Sequence, residues 1–187
     1  VMAVSSFLSG RFTVTMGVAG AGFAGLSVEV ISIVAVQAAT GYSWFLVGAV
    51  TGLFMTGASL GALYVNRGSF RNPRLFVLVS GMTALMCALF LQLYDIGAAG
   101  GFLLSGLMLA GTFGCGFASG GAFTSAAARL APGRTGWIGL LSLSEYSASA
   151  AAGLLVPLVL FPAVGAVLSL VCASVLCLTW ALLMKQG

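Results

Sequence analysis

Two carboxylates stand where an apolar chain has least reason to keep them. Glu29 lies in GLSVEVIS and Glu145 in SLSEYSAS, each inside a long hydrophobic run. An ionised acid at the centre of a bilayer costs about 2.5 to 3.5 kcal/mol on insertion scales, so such residues face a bundle interior and mark pathways. No Lys or Arg is expected at their depth. Three readings stay open: a protonated acid bonded to a neighbouring hydroxyl or carbonyl, a proton or cation relay, and contact with a partner subunit. Other chemistry is thin. The chain has no histidine, which removes Ser-His-Asp and Cys-His catalysis, histidine-ligated haem and most zinc sites. Cys87, Cys115, Cys172 and Cys177 lie in apolar runs without a CxxC pair and read as small buried hydrophobes. No metal site, no cofactor and no catalytic residue is expected.

The elements that must hold these acids are membrane helices. Of 187 residues, 60% are hydrophobic and 5% charged, and the mean hydropathy is +1.17. A soluble domain carries about 25% charge. Apolar runs bounded by charges and breakers predict six spans, at about 13–37, 44–64, 75–94, 101–127, 136–160 and 165–184, after an N-terminal interfacial segment over 1–12. The runs are long, continuous and rich in Ala, Leu and Gly, which argues against strands. Because the first residue is Val1, the chain is expected to be processed or part of a longer polypeptide.

Charge supports the count. Arg11 precedes the first span, and Arg67, Arg71 and Arg74 fill the second turn. Arg129 and Arg134 fill the fourth turn, and Lys185 follows the last span. With six crossings all seven positive charges share one side, and the opposite turns hold only Asp95. The positive-inside rule makes the basic side cytoplasmic, with both termini on it. Tyr42, Trp44 and Tyr94 then fall at outer ends, and Tyr64, Trp137 and Trp180 at inner ends, as interfacial aromatics do; Tyr146, well inside span five, does not. Sparse positive charge of this kind, net +4, serves topology and is no nucleic-acid footprint. The expected surroundings are the lipid bilayer of a bacterial-type inner membrane.

Glycine, 27 residues in all, reads as helix contact. Gly48, Gly52, Gly57 and Gly61 give span two a pair of GxxxG steps, and Gly116 and Gly120 mark span four. Pro157 and Pro162 read as a kink and a turn breaker. At 1.5 Å per residue, Glu29 lies roughly 24 Å and Glu145 roughly 14 Å above the inner ends of their spans. A direct pair between them is therefore not expected.

Set side by side, GFAGLSVEVISIVAVQAATGYSWF, VGAVTGLFMTGASLGALYVNR, GTFGCGFASGGAFTSAAARL and GLLSLSEYSASAAAGLLVPLVLFPAVG resemble the membrane portion of fused spermidine synthase-like (polyamine aminopropyltransferase-like) proteins. Glu29 matches a glutamate on a glycine-rich first helix of that family. Gly121, Phe123 and Arg129 match the end of its fourth helix. Glu145, the run ASAAAG and Pro162 to Gly165 match its fifth helix and following turn. The chain departs where the family usually has aspartate in place of Glu145 and often proline in place of Thr124. The soluble catalytic domain has no counterpart, so the resemblance implies a membrane module and no enzyme activity. A broader resemblance is to one six-helix half of a major facilitator transporter. Gly61, Leu63 and Arg67 in GALYVNRGSFRNPR match its loop between helices two and three, while Val65 and Asn66 stand in the region of the loop's aspartate.

Three functional expectations follow. The first is a non-catalytic module that anchors or docks a partner domain or subunit. The second is half of a proton-coupled small-molecule transporter, paired with a second six-helix half. The third is a membrane subunit of a quinone-linked electron-transfer complex.

Overall fold

The computed structural model describes residues 10–41, 44–68, 72–97, 100–130 and 135–184, and every element among them is helical. The helices are α1 (Arg11–Thr40), α2 (Trp44–Asn66), α3 (Pro73–Asp95), α4 (Gly101–Leu130), α5 (Thr135–Leu155) and α6 (Phe161–Leu183), with a π-helical segment, Val156–Leu160, joining the last two. Five helical runs are long and apolar enough to cross a membrane, the fifth being Gly136–Leu183 taken as one stretch of 48 residues. Large hydrophobic side chains on α2, α3, α5 and α6 stay exposed on the outside of the bundle. That is the surface of a multi-pass membrane protein.

Helix α1 is the centre. It packs against every other helix, because its small residues let neighbours approach on several sides. Gly22 abuts Ser149 and Glu145 of α5, Gly25 abuts Phe54 of α2, and Gly17 and Gly20 abut Met184 and Cys177 of α6. Buried hydroxyls and thiols tie the helices together without exposing polarity to lipid. The Thr112 hydroxyl lies 3.0 Å from Ser32 Oγ and 2.9 Å from the Met108 carbonyl. Cys177 donates to the Val77 carbonyl at 3.3 Å. Cys87, Cys115 and Cys177 are buried free thiols, whereas Cys172 is exposed. Among the described residues no three or more Cys, Asp or Glu side chains group as metal ligands would.

The last two helices run along α1 in opposite senses. Along α5, Glu145 and Ser149 lie at the level of Gly22 and Gly153 at Leu26; along α6, Cys177 lies at Gly20 and Met184 at Gly17. The chain reverses through Pro157, Pro162 and Gly165. Pro157 removes an amide donor and crowds the preceding turn, and the backbone widens there into the π segment. Gly165 then takes φ 81° and ψ 172°, a conformation open essentially only to glycine. The assigned helix begins at Phe161, but its break falls at Gly165, the last residue of the expected FPAVG turn. The other helices also run up to three residues past their expected ends. Asn72, for instance, accepts from the Arg74 amide at 3.2 Å and starts α3 at Pro73.

Helix pairing gathers Arg11, Arg67, Arg74 and Arg129 at one end of the bundle and Asp95 at the other. The Arg11 guanidinium lies 5.3 Å from the centre of the Trp137 ring, and Phe12 meets Trp180 edge to face at 6.1 Å. Arg71, Arg134, Lys185 and the segment 1–9 lie outside the described residues, as does Tyr42.

The glycines divide in a way the sequence did not indicate. Gly57 and Gly61 are buried against the backbone of Phe113, Phe117 and Gly121, and Gly116 and Gly120 against the backbone of Phe54 and Ala58. Gly48 and Gly52 are exposed, with nothing near the position of an added Cβ. The reason is helical phase. Five residues separate Gly52 from Gly57, a turn of about 140° around the helix, so the two GxxxG steps face different directions. Leucine at Gly57 or Gly61 should destabilise the bundle by more than about 3 kcal/mol, because backbone atoms cannot move aside as a side chain can. Gly52→Leu should stay within about 0.5 kcal/mol of the parent. Denaturant titration of the three variants in mixed micelles checks this order.

Candidate functional site: an acid-lined cleft

Between α2 and α5 lies a cavity of about 360 Å³. Helix α1 contributes Leu26 and Glu29, and α4 contributes Ser119, Gly120, Phe123 and Thr124. From α2 come Phe54, Met55, Ala58 and Ala62, and from α5 Glu145, Tyr146 and Ser149. Each set repeats at three- or four-residue steps, so each helix presents one stripe to the same space. No face of α2 packs along α5, which is why the space between them remains open.

The two acids, expected at different depths, both line this cleft. Their difference in level persists, since Glu145 sits beside Gly22, seven positions before Glu29 on α1, and no hydrogen bond joins the two carboxylates. Each instead accepts from a hydroxyl. Thr51 Oγ1 donates to Glu29 Oε1 at 2.7 Å, and Ser119 Oγ stands 3.4 Å from Glu145 Oε1. Glu29 is buried, at 6% exposure; Glu145 is half-buried. Among the described residues no Lys or Arg lines the cavity. The site is thus an apolar chamber lined by two carboxyl groups and several hydroxyls, with no basic side chain among the described residues.

Reading the sequence singled out Glu29 and Glu145, and Phe123 through the resemblance, but not Thr51, Ser119, Ser149 or Phe54. A signal existed. Glu145 and Ser149 stand four apart on one helix face, and Leu26 and Glu29 three apart. Tyr146, an exception among the interfacial aromatics, sits at the mouth of the cleft with 72% of its surface exposed. Arg11, Arg67, Arg74 and Arg129 take no part in the site.

Comparison of the chain with known protein families, curated proteins and solved structures returns no match.

The Thr51 hydrogen bond gives a direct check on how Glu29 is held. Glu29→Gln keeps an acceptor for the hydroxyl and should change stability by less than about 1 kcal/mol, whereas Thr51→Val strips a buried acid of its donor and should cost about 1 to 3 kcal/mol. Chemical unfolding of both variants in micelles measures the difference; equal losses would contradict the bond.

Proposed function

We propose that the chain is a non-catalytic, six-crossing module of a bacterial-type inner membrane, and that its working part is the acid-lined cleft, which binds a positive charge, at its simplest a proton, within the bilayer. The single observation behind this is that Glu29 and Glu145 converge on one cavity to which the described residues supply no basic side chain. A chain needing only apolar spans would lose nothing by replacing both. Retained at mid-span, each costs free energy unless a hydroxyl, a proton or a bound cation offsets its charge.

Six crossings are supported by length. A straight helix over the 48 residues of Gly136–Leu183 would extend about 72 Å, against a hydrocarbon core of about 30 Å. A reversal at Gly165 gives two legs of ordinary span. The basic end then lies in the cytoplasm with both termini, by the positive-inside rule. This arrangement is that of one major facilitator half, and the cleft favours a proton-coupled transporter half working with a second half. The spermidine synthase-like resemblance favours the other form, a membrane module that anchors a partner domain or subunit. A quinone-linked subunit has less in its favour, since the cavity presents acids and no basic donor to a quinone oxygen.

Topology is tested with an impermeant maleimide on intact cells. A cysteine at Ile96 should label from outside and one at Asn66 should label only after the membrane is opened; the reverse pattern would overturn the orientation. The cleft is tested by infrared titration of the full chain in lipid. A protonated-carboxyl band should appear within the accessible pH range and lose intensity in Glu29→Gln or Glu145→Gln. A spectrum unchanged in both variants would show that the acids exchange no proton and would leave anchoring as the better reading.

A further inference from the structure

The cleft is larger than a proton or a bare ion requires. Its volume of about 360 Å³ falls in the range of small-molecule sites, roughly 300 to 1,000 Å³. Its walls are mostly apolar, and the rings of Phe54, Phe123 and Tyr146 line it beside the two acids. Glu29 is 6% exposed, and Thr51 engages only its Oε1. The second oxygen has no protein donor among the described residues, and Glu29 lines the cavity. Inorganic cations fit such a lining poorly. Calcium takes six to eight oxygen ligands and magnesium a near-octahedral set, whereas here the acids stand at different levels and form no metal-binding group among the described residues. A cation with an apolar body meets each feature. Its charge pairs with a carboxylate, ring faces attract it, and its body replaces water against Leu26 and Met55.

The geometry points to the cleft as a binding site for a small organic cation, a single positive charge on an apolar body. This rests on the reading of the cleft as a site for positive charge and narrows it to a ligand class. The mouth lies between α2 and α5, where Met55 is 59% and Tyr146 72% exposed. From there the cleft extends past Ala62 and Thr124 toward the end that carries Arg67 and Arg129.

The test uses the full chain in lipid nanodiscs and radiolabelled benzyltrimethylammonium, whose charge no proton exchange can alter. Neopentylbenzene is its neutral counterpart of the same shape. Binding should saturate, and neopentylbenzene should fail to displace the cation. Glu29→Gln and Glu145→Gln should each weaken binding at least about tenfold, as loss of a charged partner does. Tyr146→Ala, at the exposed mouth, keeps the fold and should weaken binding about two- to fivefold through loss of one ring face. Displacement by neopentylbenzene equal to that by the cation itself would overturn the proposal, as would undiminished binding in the glutamine variants or no saturable binding by the folded protein. If binding is absent while the infrared carboxyl band still weakens in the glutamine variants, the organic cation fails and the proton site stands. If neither responds, both fail.

Discussion

Helix α2 is held to the rest of the bundle chiefly through a backbone-to-backbone contact with α4. Gly57 and Gly61 on one side and Gly116 and Gly120 on the other remove the side chains that would keep the two helices apart. Association of helices in lipid lacks the hydrophobic drive available in water and depends on such close approach. The consequence reaches the site. With one face of α2 pinned to α4, the adjoining stripe of Phe54, Met55, Ala58 and Ala62 is turned toward α5 without touching it. The cleft is the space left over, and its shape follows from where the glycines lie.

A second constraint is electrostatic. The bundle places Arg11, Arg67, Arg74 and Arg129 together at one end, and among the described residues its middle holds no positive charge. Hydroxyls from Thr51 and Ser119 satisfy part of each carboxylate, yet they bring no countercharge. Hydrogen bonds to a buried charge contribute about 1.5 to 3 kcal/mol each, comparable with the insertion cost of one ionised acid. The hydroxyls thus offset part of what each carboxyl group costs at that depth. Helix α1 makes this proximity possible. Its small residues admit α5 beside Gly22 and α2 beside Gly25, which brings two acids separated by 116 residues of chain (145 minus 29) to one chamber.

Much of the helical frame was legible in the sequence, because continuous apolar runs and one-sided arginines are properties of composition and order. The starts of α2 and α4, at Trp44 and Gly101, fall where the runs begin. Rotational phase was harder. Gly48 and Gly52 looked equivalent to Gly57 and Gly61, and only the five-residue step between the pairs separates them. The turn after Pro162 was placed correctly in sequence but not in form, since a proline inside a helix can be absorbed by a π segment while the break falls on the next glycine able to take a positive φ. The acids stood out by their cost in an apolar run and by the resemblance. That they share a cavity depends on how α1, α2, α4 and α5 pack together, which no local pattern encodes.

The shared cleft is tested most directly with dicyclohexylcarbodiimide, which enters membranes and converts a carboxyl group to a bulky N-acylurea. Intact-mass and peptide mass spectrometry of the labelled full chain would report how the adducts are distributed. With both acids in one cavity of about 360 Å³, single adducts on Glu29 or Glu145 should accumulate while the double adduct stays well below the product of the two single fractions. Double labelling at that product would mean two independent sites, and the common cleft would be contradicted.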